Sequence, residues 1–177
     1  MKTKKQYSRV FLVIVPHRDI RLVLRKYSAD LFGENFPGAY LFPQVAPVFA
    51  LSQPLTNDEL KNCARSLRGT CEKIHAKEAV TIAFQDGFAL FGPQLDFSPC
   101  VFSDSCGFSQ KVTGIFSNAI LGACLLPAAN GKIPALSPPQ MSFRAAAVAN
   151  LYWHFNDQGG SFYSKWKIGK LHWLPKI

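Results

Sequence analysis

Between Asn150 and Lys167 the side chains alternate in character residue by residue on either side of Asp157-Gln158-Gly159-Gly160. Period two across a glycine-rich turn is how a β-hairpin is written in sequence. With Asp157-Gln158-Gly159-Gly160 as the loop, Asn156 opposes Ser161. One face then collects Leu151, Trp153, Phe155, Phe162 and Trp166, and the other collects Asn150, Tyr152, His154, Tyr163, Lys165 and Lys167. The first face is core. The second is a row of rings, amides and ammonium groups, followed by Lys170, His172 and Lys176, with no acid after Asp157.

The rest of the chain must supply what this hairpin packs against. Residues 9–15 are almost continuously apolar and rich in Val and Ile, as in a strand buried on both faces. Ile20, Val23, Leu24, Tyr27 and Leu31 then recur at three- and four-residue steps and predict a helix over 18–32, with Arg18, Arg21, Arg25 and Lys26 outside the stripe and Gly33 as a stop. Residues 39–51 are strand-like but interrupted by proline. Thr56-Asn57-Asp58-Glu59 is a capping box, in which the Thr hydroxyl and the Glu carboxylate each satisfy an orphaned backbone N–H. Leu60, Cys63, Ala64, Leu67, Cys71 and Ile74 extend one apolar helical face behind it for about five turns.

Val80, Ile82 and Phe84 alternate, Asp86-Gly87 turns, and Phe88 and Leu90 resume, a second hairpin. From 92 to 140 small residues, Ser and Pro dominate. Two or three strands fit there, the clearest at about 119–126, followed by a loop over 127–140 and no helical period. The chain holds no tandem repeat.

With 177 residues, 48% of them hydrophobic and 18% charged, the chain can bury a core and is not disordered; it suits one domain or two small lobes sharing a core. Twenty Lys and Arg against eleven Asp and Glu leave a net charge of +9, which favours phosphates, nucleic acid or anionic lipid as partners. Cys63, Cys71, Cys100, Cys106 and Cys124 are odd in number and lack metal-site spacing, so buried thiols in a reducing compartment are expected, with no metal and no cofactor. Lys2, Lys4 and Lys5 before Val10–Val15 imitate a signal peptide, but Pro16-His17-Arg18-Asp19 ends the run too early and without a cleavage site. Prolines break residues 35–57, and Asn118, Gly122, Pro127 and Asn130 break 112–131, so neither stretch reads as a membrane span. A soluble, cytoplasmic protein without a membrane partner is expected.

The face of Tyr152, His154, Tyr163, Lys165 and Lys167 admits two readings. Lysines neutralise phosphates and rings stack on bases, which suits a nucleotide or RNA; a solvated sheet face also uses lysine to discourage edge-to-edge aggregation. The arginines of the first helix fit an ordinary wet surface. His17 follows a buried strand, where loops often carry function, but a capping or surface role fits it better. His75 stands where a cation would suit a helix C-terminus. Nucleophile elbow, phosphate loop, His-Glu-x-x-His and Cys-x-x-Cys are all missing from the sequence, and the few acids make a two-carboxylate hydrolase or a magnesium site a poor fit.

The order of elements, with Phe42-Pro43 through the capped helix at Leu60 and Phe143 through Trp173 with Gly159-Gly160-Ser161-Phe162-Tyr163 at its turn, resembles the two-histidine phosphoesterases, the superfamily of 2′-5′ RNA ligase-like proteins and cyclic nucleotide phosphodiesterases. The resemblance implies an α+β fold, a single two-lobed domain over 1–177 with interleaved lobes and a strand-rich second half from about 79 to 177. Antiparallel sheets and two main helices would surround a cleft. It also implies two His-x-Thr/Ser motifs, one imidazole taking a proton and the other giving one. Neither motif is present at the corresponding positions. Ala46 and Val48 occupy the first, and Asn118 and Ile120 the second.

The expectation is therefore a catalytically degenerate protein of this type that binds a nucleotide or RNA phosphate through its basic surface, at Tyr152, His154, Tyr163, Lys165 and Lys167. Two rivals follow from the same residues. One is an active cyclic phosphodiesterase or RNA ligase-like enzyme that pairs two of the spare histidines His17, His154 and His172. The other is an interaction module for an acidic protein, its cleft filled by Ala46, Pro47, Val48 and Ile120.

Overall fold

The computed structural model describes residues 6–35, 40–67, 74–83, 88–95, 106–116, 121–122, 124–127, 139, 142–158 and 161–176. The larger of its two sheets is built around β1 (Gln6–Pro16), whose apolar run ends at Pro16. A proline has no N–H to continue the ladder. β3 (Ala46–Leu51) pairs with one edge of β1 and β9 (Ala145–Gln158) with the other. β6 (Val112–Ile115) adds beyond β3, β10 (Ser161–Ile168) adds beyond β9, and the short β11 (His172–Trp173) continues beside β9. The second sheet runs in the order β2 (Tyr40–Leu41), β7 (Cys124–Pro127), β5 (Phe88–Leu95), β4 (Ile74–Ala83) and β8 (Ser142–Phe143). Every described pair is antiparallel. The chain passes repeatedly between the sheets, so neither is a contiguous piece of sequence. With the two helices, this is the α+β class that the sequence predicted.

Helix α1 (Arg18–Asn35) begins at His17, whose carbonyl accepts the Arg21 N–H at 3.1 Å and whose own N–H donates to Arg144 O at 3.0 Å. Its buried stripe is Ile20, Leu24, Tyr27, Ser28 and Leu31, whereas Val23 is 44% exposed. The predicted stripe is thus rotated slightly, with a serine taking the place given to valine. Helix α2 (Asn57–Leu67) carries the capping box as predicted: Thr56 N–H donates to Glu59 Oε2 at 2.8 Å, and Glu59 N–H donates to Thr56 Oγ1 at 3.3 Å. Leu60, Cys63, Ala64 and Leu67 are buried. The helix does not continue to Ile74 as its periodicity suggested. Ile74 and His75 belong to β4, so His75 is a strand residue and not a helix-terminal cation. Gly69 stands close behind Leu67 in the sequence and is a stop signal that the apolar spacing concealed. Cys71 lies outside the described residues.

The region 39–51 forms two strands, not one, separated where Val45 N–H bonds Pro43 O at 2.7 Å. The 80–90 hairpin is present as β4 and β5, while Phe84 and Asp86-Gly87 lie outside the described residues. The strand expected at 119–126 is β7, displaced to 124–127, and nearly all of the loop at 127–140 is also outside the description.

Two apolar clusters hold these elements. The first joins Leu12, Ile14, Phe49 and Val148 of the larger sheet to Ile20 and Leu24 of α1 and to the buried stripe of α2. The second uses the opposite side of the same strands: Phe11, Val13, Val15, Ala147, Ala149, Leu151 and Trp153 pack with Phe42, Val45 and Leu90. Leu90 is in β5, and the first cluster takes Leu95 of β5 and Phe143 of β8, so both clusters span both sheets. Burial on both sides of β1 explains why its sequence does not alternate.

Candidate functional site

The closing hairpin pairs Gln158 with Ser161, leaving only Gly159 and Gly160 between the strands. Asp157 and Gln158 are therefore strand residues and not loop, and the register is two residues away from the predicted one. A slip of two preserves which side each residue occupies, because the side-chain period is two. The predicted faces consequently survive a wrong register. Had the slip been one, every assignment would have reversed.

On one face, rows run straight across β1, β9 and β10. His154 sits between Ser8 and Lys165, Tyr152 between Val10 and Lys167, and Asn156 between Gln6 and Tyr163. Directly opposed residues place their Cβ atoms about 5 Å apart, and Lys165 and Lys167 follow each other at about 7 Å along β10. Lys165 and Lys167 are exposed, and Tyr152 and His154 are half-buried. Tyr163 joins the row by backbone register. No ion pair engages either lysine among the described residues. The Tyr152 ring is backed by Gly169: a Cβ there would lie 3.4 Å from its Cε2 and 3.3 Å from Asn150 O, while the Gly169 N–H donates to Asn150 O at 2.8 Å.

Asn150, placed with this polar row by sequence, is not part of it. Its side chain is buried and closes a two-bond bracket on Leu55, with Nδ2 donating to Leu55 O at 2.9 Å and Oδ1 accepting Leu55 N–H at 3.0 Å. A short amide next to an apolar core satisfies both backbone groups of the residue just before the α2 cap. The bracket, not a ligand, occupies it.

The spare histidines do not converge. His172 pairs with Val148 and His154 lies six residues further along β9, a separation of about 20 Å. His17 is bonded at the level of Arg144, about 13 Å beyond Val148 in the other direction. His172 is buried, and its Nε2 has no hydrogen-bond partner. Burial, then Lys170 and Lys61, lower its pKa and favour the neutral ring. His17 serves as the α1 cap, one of the two roles open to it.

Of the four motif positions, Ala46 and Val48 are fully buried in the cluster on the helix side of the sheet. Asn118 and Ile120 lie outside the described residues. A register shift in β1–β3 between Leu12 and Val13 puts Pro47 opposite Val13. Val45, just before β3, joins the second cluster, and Pro47 shares its side of the sheet with Val13 by register.

That side is aromatic. Trp153 and Trp166 stack with centroids 4.7 Å apart at 18°, and Phe42 meets Trp166 edge-on at 4.6 Å and 70°. Phe11 lies 6.2 Å from Trp153 and 5.9 Å from Phe116, and the Arg9 guanidinium sits 5.5 Å from the Trp153 centroid. Offset and edge-on contacts of this kind add attraction beyond area burial. Phe42 lies so close over Gly122 that a Cβ at 122 would collide with its ring. Backbone bonds from Gly122 N–H to Val45 O and from Leu121 N–H to Pro93 O, both 2.9 Å, fix that segment between the sheets.

Among the described residues no group of three or more His, Cys, Asp or Glu side chains gathers for a metal, and no helix is long and apolar enough to cross a membrane. No family model matches the chain, and no curated protein matches it. Two solved structures are similar to it. The crystal structure of E. coli LigT complexed with ATP is 14% identical, with a TM-score of 0.48, over 96% of this chain and 99% of that one. The crystal structure of E. coli LigT complexed with 3′-AMP is 14% identical, with a TM-score of 0.46, over 97% of this chain and 100% of that one. Both similarities run along nearly the full length of each chain.

Proposed function

We propose that this chain binds single-stranded RNA, or a nucleotide, through the outward face of β9 and β10, and performs no phosphodiester chemistry. The observation that carries this reading is the pair of cross-strand rows, Lys165 beside His154 and Lys167 beside Tyr152, on a protein of net charge +9. The ammonium groups neutralise phosphates, and the Tyr152 ring, with Tyr163 two rows away by register, offers a π-face to a base. The spread of His17, His154 and His172 supports the non-catalytic half, because general acid–base work on one phosphorus needs both groups within hydrogen-bond reach of it.

Fluorescence anisotropy with a short single-stranded RNA, repeated across a salt series, tests the proposal. Micromolar or tighter binding that weakens steeply with salt is expected, with weaker binding in Lys165→Ala/Lys167→Ala and no turnover of a 2′,3′-cyclic nucleotide. Turnover that disappears in His154→Ala or His17→Ala would refute the non-catalytic half. The apolar packing between the sheets favours a second reading, an interaction module for an acidic protein. Undetectable nucleic-acid binding, with the folded protein capturing an acidic peptide, would favour that reading over the first.

A further inference from the structure

Two cysteines far apart in sequence meet in the first core cluster. Cys63 is on α2, and Cys106 precedes the turn Ser109–Lys111 that leads into β6. The Cys106 thiol donates to the Ser66 hydroxyl at 3.5 Å and lies in the same buried cluster as Cys63. Ser66 and Cys63 are one turn apart on α2, so they share a side of the helix, and Cys106 sits against both. Both thiols are reduced. The same two segments are joined again where Lys111 Nζ bonds Glu59 Oε2 at 2.7 Å.

We propose that Cys63 and Cys106 are a redox pair, forming an intramolecular disulfide that staples α2 to the segment carrying Lys111. The oxidant is a small-molecule disulfide such as oxidised glutathione. Cys106, 4% exposed against 0% for Cys63, meets it first. Its thiolate attacks one sulfur, and the released glutathione thiolate takes up the proton that Cys106 lost. Cys63 then gives up its own proton and attacks the Cys106 sulfur of the mixed disulfide, expelling the second glutathione, which is protonated in turn. Two protein thiols are oxidised and one small disulfide is reduced to two thiols. Burial first, then the neighbouring Cys106, hold Cys63 well above the usual thiol range, so its thiolate is scarce and exchange is slow. The cross-link closes a long loop and therefore restricts the unfolded chain.

The test exposes the folded full-length chain to a series of oxidised-to-reduced glutathione ratios, then alkylates, digests and maps it by mass spectrometry. A Cys63–Cys106 peptide as the main product is expected, with two fewer titratable thiols of the five and a higher melting temperature that dithiothreitol reverses. Cys106→Ser should lose both the cross-link and the thermal gain. Cys63→Ala provides the same reading should the serine variant fold poorly. Oxidation that joins Cys71, Cys100 or Cys124 instead, five thiols persisting at the most oxidising ratio, or a cross-link that lowers the melting temperature would each overturn the assignment.

Discussion

Asn150 and Leu55 are ninety-five residues apart in sequence, yet the Asn150 amide satisfies both backbone polar groups of Leu55, at 2.9 and 3.0 Å. The longest strand of the larger sheet is thereby fastened to the start of α2. It also fixes the height of β9 on which Tyr152 and His154 follow.

Asn150→Ala leaves a buried N–H and a buried C=O unpaired. Each such group costs about 1–3 kcal/mol, so a loss of roughly 2–6 kcal/mol is expected in urea denaturation. Asn150→Asp should be no better than Ala at neutral pH, because a carboxylate oxygen would then face the Leu55 carbonyl. An unchanged midpoint for either variant would remove the bracket from the stability account.

Glu59 and Lys111 make the second long-range tie. Burial works to raise the Glu59 carboxyl, but the Lys111 ammonium and the Thr56 backbone and hydroxyl together hold it below its ordinary 4.5. A depressed acid contributes stability that is present above 4.5 and is lost as pH falls through the folded value. Unfolding midpoints should drop in that window, and Glu59→Gln should flatten the drop. Lys111→Met, measured at pH 7, should cost about 1.5–3 kcal/mol, the range for a hydrogen bond to a charged group.

His172 gives a separate window. Its ring is held neutral by burial, with Lys170 and Lys61 adding repulsion, so its folded pKa lies under 6.5. The unfolded chain then binds the extra proton, and stability declines as pH falls from 6.5 towards the folded value, levelling off beneath it. His172→Leu should remove this decline and leave the lower Glu59 window intact. A pH profile identical to wild type would contradict the role given to the ring.

Gly122→Ala drives a methyl into the Phe42 ring, which is itself held edge-on against Trp166. Overpacking of this kind costs about 1–3 kcal/mol. Displacement of Phe42 should also alter tryptophan emission, since Trp166 stacks on Trp153. Identical stability and emission in the variant would mean that Phe42 does not occupy that position.

For the proposed RNA contact, each lysine removed from Lys165 or Lys167 should flatten the dependence of log K on log salt by about 0.7, the single-strand value per phosphate neutralised. Lys26→Ala offers a control, because that ammonium is on α1 and already paired with Asp30 at 3.0 Å. Equal loss of affinity in the control and in the β10 variants would dissolve the specific face into a general charge effect.

Much of this fold could be read from local pattern, and the failures share one cause. The α2 cap is a contact between residues three apart, and the faces of β9 and β10 follow from a period of two, so both were legible. The register of that hairpin was not, because Asp157-Gln158 resembles turn sequence as much as strand. Asn150 was misplaced because its bracket depends on Leu55, and the importance of Lys111 was invisible because its partner Glu59 is fifty-two residues away. Sequence spacing carries no record of such pairings. The same holds for β3, where a register shift against β1 puts Pro47 opposite Val13.

The position of β1 has a consequence for how the molecule comes into being. Val10 pairs with Tyr152, so the middle strand of the larger sheet waits for a partner made some 140 residues later. At ribosomal speeds of about 5–20 residues per second that delay is on the order of ten seconds. Throughout it the Val10–Val15 stretch has one flank open, a sticky edge on a nascent chain. Assembly of the larger sheet therefore waits for β9, and its yield should depend on chaperones that shield that edge.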